Sequence, residues 1–405
     1  MANEMTFNQI ATVLNAIQTQ ATGVAGITPT DTASFVNCAT TVLKTGYDRT
    51  MGAISQVLSR TIFSVRPYTR KFNGLERSET QWGNHIRKLK IADKDFQESD
   101  AHIWPVNIDG APAQDPGSPV VGDGYGVDQQ IINKPDMLQT NFYGRNVFQD
   151  SYTIFKDQLD VAFTGPDELA RFISMVVQNM SDKLEQSREN TARAVLANFM
   201  GGLISENDPN RIVHLLTEYN ALTGLSLTAT TVYQPDNYAA FMKWVYSRVA
   251  AISSLMTERS EMFQTVVNGK HIMQHTPFDR QKVYLFAPAR YQIDARVLAD
   301  TFHDNYLRYA DVEAVNFWQS IESPDEISLT ASRIASDGSV ASASVTQGNI
   351  YGCIFDEEAM GYAVTNQSAD PAPYNARGKY QNTWIHETQN CWNDHTEKGV
   401  LLLLD

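Results

Sequence analysis

The side chains best suited to chemistry in this sequence do not assemble into a familiar site. Cys391 and His395, with His386 and Asp394 close by, have the residue types of a thiol–imidazole pair. On a strand, however, Trp384, His386, Thr388, Asn390 and Trp392 share one face while Cys391 points from the other. His271 and His275 have the spacing of metal ligands on a helix, but they fall in and just beyond a stretch read below as a hairpin. Asp356, Glu357 and Glu358 are consecutive, which suits a solvated turn better than two carboxyls held across a cleft. Gly269-Lys270 lacks both the earlier glycine and the following Ser/Thr of a phosphate loop, and no His-Glu-x-x-His, Cys-x-x-Cys or nucleophile elbow occurs. No catalytic residue, cofactor or metal is therefore expected. The dense basic cluster is Arg87, Lys88, Lys90 and Lys94. It reads as facing water or the acidic surface of a neighbouring subunit, ahead of a nucleic-acid contact. The aromatic residues Trp104, Phe142 and Tyr143 lie in the same region and are the candidates for inter-subunit contact.

These residues must be positioned by something, and composition bounds what. A chain of 405 residues is long enough for two or three cored domains. Its 42% hydrophobic and 19% charged content is that of a folded protein. A net charge of -14 argues against a surface built to neutralise nucleic-acid phosphates. No apolar run is long enough to cross a bilayer, and the first residues lack the pattern of a secretion signal. Three scattered cysteines, Cys38, Cys353 and Cys391, fit a reducing cytoplasm.

The dominant element is a helix predicted over 166–200. Leu169, Phe172, Ile173, Val176, Val177, Met180, Leu184, Ala194, Val195 and Phe199 recur at helical spacing, and Asp182, Lys183, Glu185, Arg188 and Glu189 are expected to face water. Pro166 suits the first helical position, Asp167 and Glu168 meet the positive end of the dipole, and Gly201-Gly202 is read as the stop. Before it, residues 6–17 and 32–62 read as helices too small for a domain, an arm that must pack on something else. Strand patterns at 86–91 and 139–155 flank 105–135, which is crowded with Gly, Pro and Asp and cannot sustain a ladder. The simplest picture is a two-stranded ribbon with an irregular tip, and an isolated ribbon needs a neighbour, here another copy. After the spine come a β-favouring run at 225–232 and a helix from Pro235. A hairpin over 262–273 turns at Asn268-Gly269. A buried strand at 282–286 leads to a helix from Pro288 to about His303. A Ser/Ala-rich surface excursion spans 327–343, and strands follow at 350–355, 360–364, 383–392 and 400–404. The interleaving is α+β.

This order of parts resembles the major capsid proteins of tailed bacteriophages, the Hong Kong 97-type fold. Lys282-Val-Tyr-Leu-Phe-Ala-Pro288 followed by a helix is similar to the strand, proline and helix step of that family's A-domain. Val266-Val-Asn-Gly-Lys270 with His275-Thr-Pro277 resembles a hairpin of short-tailed phage capsid proteins, and Gly352-Cys-Ile-Phe-Asp356 with the 383–392 strand resembles the C-terminal strands. The resemblance implies a helical N-arm over 1–65, an extended β-ribbon E-loop over 66–160 and a P-domain over 161–210 holding the spine. It further implies a mixed A-domain over 211–349 and C-terminal strands over 350–405 that complete the P- and A-domains. The implied function is a structural subunit that self-assembles into pentamers and hexamers of an icosahedral shell around double-stranded DNA. An encapsulin-like nanocompartment shell is the alternative, and a soluble enzyme stands further off. Implied partners are copies of itself, a separate scaffolding protein, a portal and DNA bound without sequence specificity, with no membrane. The implied location is the virion, reached through the host cytoplasm. The resemblance assigns no crosslinking residue.

Overall fold

The computed structural model describes residues 7–23, 28–46, 49–51, 53–54, 72–77, 86–92, 130, 136–293 and 311–405. Lys94, Trp104 and the 105–135 tip, apart from Gln130, lie outside the described residues, as does the helix expected between 294 and His303.

Helices α1 (Phe7–Thr22) and α2 (Thr32–Lys44) open the chain. Asp31 caps α2 by accepting from the Ser34 amide at 2.7 Å, while the Ser34 hydroxyl accepts from the Asp31 amide at 3.1 Å. Ile10, Leu14 and Ile17 of α1 meet Phe35, Ala39 and Val42 of α2 in a core shared with Leu169, Phe172 and Met180 of the spine. The arm helices therefore bury their apolar stripes on their own subunit. For the described part of the arm, the expected need for an outside surface is corrected.

After the short helix α3 (Lys156–Ala162), the spine α4 runs Pro166–Glu206, 41 residues and about 60 Å at 1.5 Å per residue. Its start is as expected, with Pro166 at the first position and Asp167 and Glu168 in the first turn. It does not stop at Gly201-Gly202 but at Asn207, whose φ of 53° forms a left-handed cap. The two glycines serve close approach instead. A Cβ at Gly201 would stand 2.8 Å from the Ala331 Cβ, and one at Gly202 would overlap the His395 ring. The charged middle of α4 faces water only in part, with Lys183 exposed as expected. Glu185 and Glu189 are buried because guanidinium groups meet them. Arg188 forks onto Glu387 at 2.7 and 3.1 Å and reaches Glu185 at 3.3 Å, and Arg193 binds Glu189 at 2.6 Å.

The strands fall into four groups. β1 (Ile86–Ile91) and β2 (Met137–Phe142) form an antiparallel ribbon, shorter than expected because the 139–155 stretch pairs with β1 only as far as Phe142. β3 (Arg145–Phe155) leaves the ribbon and pairs along its length with β11 (Tyr380–Asn393), which pairs in turn with β10 (Met360–Pro371). This three-stranded sheet packs on the first half of the spine through Ile154 and Ile385. A five-stranded mixed sheet has the order β4 (Ile212–His214), β12 (Gly399–Leu403), β9 (Ile350–Asp356), β5 (Gln281–Phe286) and β6 (Asp311–Val315). Both its faces are buried, which is why β12 reads as an unbroken apolar run. Val400 and Leu402 meet Phe241, Val245 and Val249 of the long helix α6 (Pro235–Thr257), which follows α5 (Leu215–Thr223). Leu401 and Leu403 meet Phe199, Met200 and Leu203 at the spine's end. The helix step after β5 is present as α7 (Ala287–Ile293).

Three expectations are corrected. The 225–232 run forms no strand. The Asn220 side chain brackets the Leu227 backbone from both sides at 2.9 Å and the 228–231 threonines bond one another, so local side-chain bonds replace a ladder. The Asn268-Gly269 turn forms, with φ of 53° and 63°, but its arms make isolated bridges rather than strands, and the Gln264 amide takes the Ile272 carbonyl. The Ser/Ala-rich stretch is extended and largely at the surface as expected, but it is a hairpin of β7 (Ile327–Ile334) and β8 (Val340–Gln347) laid on α4 rather than an excursion, with Ile327 and Ala331 buried.

Candidate functional site

The end of the spine, helix α6 and the ribbon meet at one turn. Between β11 and β12, Asp394, His395, Thr396, Glu397 and Lys398 follow one another, and all five are buried. Buried polar side chains need partners, and those of this turn reach three elements: helix α6, the spine and the ribbon strand β1. Lys398 donates to the Glu258 carbonyl at 2.7 Å at the end of α6. The His395 ring stacks on Phe199 of the spine with centroids 4.9 Å apart, and its Nε2 lies 3.3 Å from the Phe199 carbonyl. The Thr265 amide donates to the His395 carbonyl at 3.0 Å. Arg211, fully buried, donates to Glu206 and Thr265 at 2.7 Å each and to the carbonyls of His395 and Gly399 at 3.1 and 3.2 Å.

The carboxylates of the same turn receive the ribbon. Lys88 Nζ lies 2.6 Å from Glu397 Oε1 and 3.0 Å from Asp394 Oδ2, and donates to the Glu358 carbonyl at 3.1 Å. Lys90 Nζ lies 2.8 Å from Glu397 Oε1 and donates to the Thr396 hydroxyl at 2.7 Å. Burial alone would raise the Asp394 carboxyl, but the Lys90 and Lys88 ammonium groups and the Thr396 hydroxyl outweigh it and bring it down to about 2. Burial pulls the Lys88 amine down, and the Asp394 and Glu397 charges more than restore it, so it ends above its ordinary value. Burial first, and the Arg211 charge second, push the His395 imidazole down to about 3, so it is neutral.

The structure thus separates the sequence candidates. Lys88 and Lys90 spend their charge inside their own subunit, which corrects their reading as contacts to water or to a neighbour. Arg87 lies on the opposite, exposed face of β1, across from Asn141. Phe142 is half-buried at the end of β2, and Tyr143, 74% exposed, sits at the joint between β2 and β3. Next to it, Gly144 accepts from the Cys391 amide at 2.7 Å, an approach so close that a Cβ would overlap the Cys391 carbonyl. Leu89, Ile91 and Met137 leave 53, 63 and 54% of their surface exposed on the ribbon's outer face. A cleft of about 1320 Å³ runs under the ribbon, between β2, the middle of the spine and the β7–β8 hairpin.

Cys391 and His395 do not form a reactive pair. The thiol neighbours the Asn146 amide at 3.9 Å, and burial pushes it up to about 11. His271 pairs with Glu261 and His275 is exposed, and no group able to hold a metal occurs among the described residues. Asp356 accepts from the Thr276 hydroxyl at 2.7 Å, while Glu358 pairs with Arg280 and Lys88, so the acidic triplet is structural. Sequence reasoning missed the 394–398 turn and Arg211. The available signal was five successive polar residues between two strands.

Residues 115–403 match the model of a family described as Phi29-like phage major capsid protein. Among solved structures, the capsid structure of Staphylococcus phage Andhra is similar with a TM-score of 0.54 and 12% identity, covering 85% of this chain and 86% of that one. A chain of the head fiber and inner core protein structure of bacteriophage P68 gives 0.48 and 9%, covering 83% and 85%. No curated protein sequence matches. The likeness to the Andhra capsid speaks for the fold, which is the mixed α+β capsid fold of Hong Kong 97 type.

Proposed function

The chain belongs to the Phi29-like phage major capsid protein family, and from that premise we propose how this structural shell subunit assembles. Its place is the virion capsid, and no helix among the described residues is long and apolar enough to cross a membrane. The subunits form pentamers and hexamers, with the ribbon of one copy lying against the next. The observation that carries this reading is the outer face of β1 and β2. Leu89, Ile91 and Met137 project from a two-stranded ribbon, and no apolar side chain of that ribbon belongs to any of the three cores. A ribbon of this kind gains from cover, and each weak contact between copies is multiplied when a shell closes. Arg87 and Tyr143 flank that face and extend it with a charge and an aromatic ring. The division into N-arm, E-loop, P-domain, A-domain and C-terminal strands belongs to the same proposal. So do a separate scaffolding protein, a portal, passage through the host cytoplasm, and a genome held without sequence-specific contacts. The net charge of -14 fits a container whose DNA must slide during filling. Family membership sets aside the nanocompartment alternative.

The test is a pair of variants checked for fold by circular dichroism. Leu89→Ser with Ile91→Ser and Met137→Ser, and deletion of 105–135, are each expected to give a folded subunit that assembles poorly or not at all. Normal shells from both would refute the reading.

A further inference from the structure

The ribbon is attached to the body without sharing a buried apolar core. Ile86, Leu138 and Phe142 turn inward on β1 and β2, yet none joins a core, whereas Ile154 of β3 does. What holds the inner face is cationic. Lys88 and Lys90 reach Asp394, Glu397, Thr396 and the Glu358 carbonyl, and Lys270, beside the Asn268-Gly269 turn, donates to the Met137 carbonyl. Beneath them lies a cavity of about 360 Å³ lined by β1 and by Ile272, Gln274, His275, Arg280, Glu358 and Glu397. That is room for several waters among polar groups able to hold them. Below the joint the chain is clamped. The Gly144–Cys391 contact admits no side chain, and β3 is paired to β11 from Arg145 onward. Tyr143 and Gly144 lie between the two ladders and belong to neither strand. The ribbon therefore has a fixed base, a break between the two ladders, and an ionic brace beside a cavity large enough for water.

We propose that Lys88 and Lys90 are positioning residues that set the angle of the ribbon through a charge-dependent joint on Asp394 and Glu397. Close-packed apolar contacts would allow a single angle. Long lysine stems around a cavity large enough for water hold one angle only while the charges attract, so screening or neutralising them frees the ribbon to swing at Tyr143-Gly144. Since Asp394 is fully buried and Glu397 nearly so, the brace is stronger than a surface pair yet open to ions through the cavity. That this angle matters for shell building rests on the proposed function; that it is set by these charges does not.

The experiment measures the angle on the unassembled subunit. Nitroxide labels at Gln139→Cys on the ribbon and Thr330→Cys on the β7–β8 hairpin, with Cys391→Ala, report one interspin distance. Low salt is expected to give a single narrow distance. Raising salt to about 1 M, where the screening length falls to about 3 Å, is expected to broaden it at least twofold. The neutralised variant, Lys88→Met, Lys90→Met, Asp394→Asn and Glu397→Gln together, leaves no charge unpaired in the joint. It is expected to be broad at every salt concentration, while Lys88→Arg with Lys90→Arg stays narrow. A wild-type distance that keeps its width in high salt, or a folded neutralised variant with the narrow distance, would overturn the proposal. Assembly is scored separately by microscopy, so an unmoved ribbon sinks this inference alone, and a failure to form shells sinks only the assembly reading.

Discussion

Acidification offers a quantitative test of the buried turn, because His395 is its one group that ordinarily titrates near neutrality. Its ring is enclosed by Phe199 and Gly202 of the spine, and the charges acting on it are the Arg211 and Arg333 guanidinium groups and the Asp394 carboxylate. Burial and the two arginines overcome Asp394, so the folded imidazole is held down at about 3, against 6.5 for a free histidine. The depressed value sets the sign. Above pH 6.5 neither state is protonated and no stability is lost. Below it the unfolded chain takes a proton that the folded chain refuses, so stability falls until the pH reaches the folded value near 3. At about 1.4 kcal/mol per pH unit, the loss between about pH 6.5 and about pH 5 is on the order of 2 kcal/mol from this residue alone. Asp394 does not confuse the window, since it is ionised in both states above pH 4 or so. His395→Gln keeps a neutral donor toward the Phe199 carbonyl and removes the titration. Urea denaturation of the unassembled subunit at pH 7, 6 and 5 is expected to show the wild type losing roughly 2 kcal/mol more than the variant. Parallel stability lines for the two proteins would refute the reasoning, because the ring would then be reached by water or protonated in the fold.

Two further outcomes follow from the spine. Gly202→Ala should improve helix propensity by about 1 kcal/mol, yet its methyl would displace His395 from Phe199, so a net loss of roughly 1–3 kcal/mol is expected in denaturant titration. Arg188→Met leaves Glu387, 2% exposed, and Glu185 without their shared cation, and should cost about 3–5 kcal/mol; adding Glu387→Gln should restore much of it.

The parts of the fold legible in the sequence were those written by local rules. Pro166 with Asp167 and Glu168 marks the spine's start, Asn268-Gly269 marks a turn, and the 282–286 strand leads into its proline and helix. Strands β9 to β12 follow from apolar content and period. What escaped depends on partners far away in the chain. Glu185 and Arg188 look like a solvated face until Glu387 is brought beside them by β11. Gly201-Gly202 looks like a stop because glycine signals both an ending and a close approach, and Ala331 and His395 decide which. Lys88 and Lys90 alternate with Arg87, Leu89 and Ile91, so the pattern showed two faces without saying that the lysine face turns inward to a buried acidic turn. The ribbon candidates were found as a region, but the burial of their charges could not be read from spacing.

The central claim is that this polypeptide is a building block whose exposed ribbon is completed by other copies. Electron microscopy of the purified chain, alone and mixed with a candidate scaffolding protein, tests it most directly. Closed shells with the subunits in rings of five and six are the expected result. A lone particle of monomer mass under every condition, with the outer face of the ribbon folded against its own body, would contradict the account.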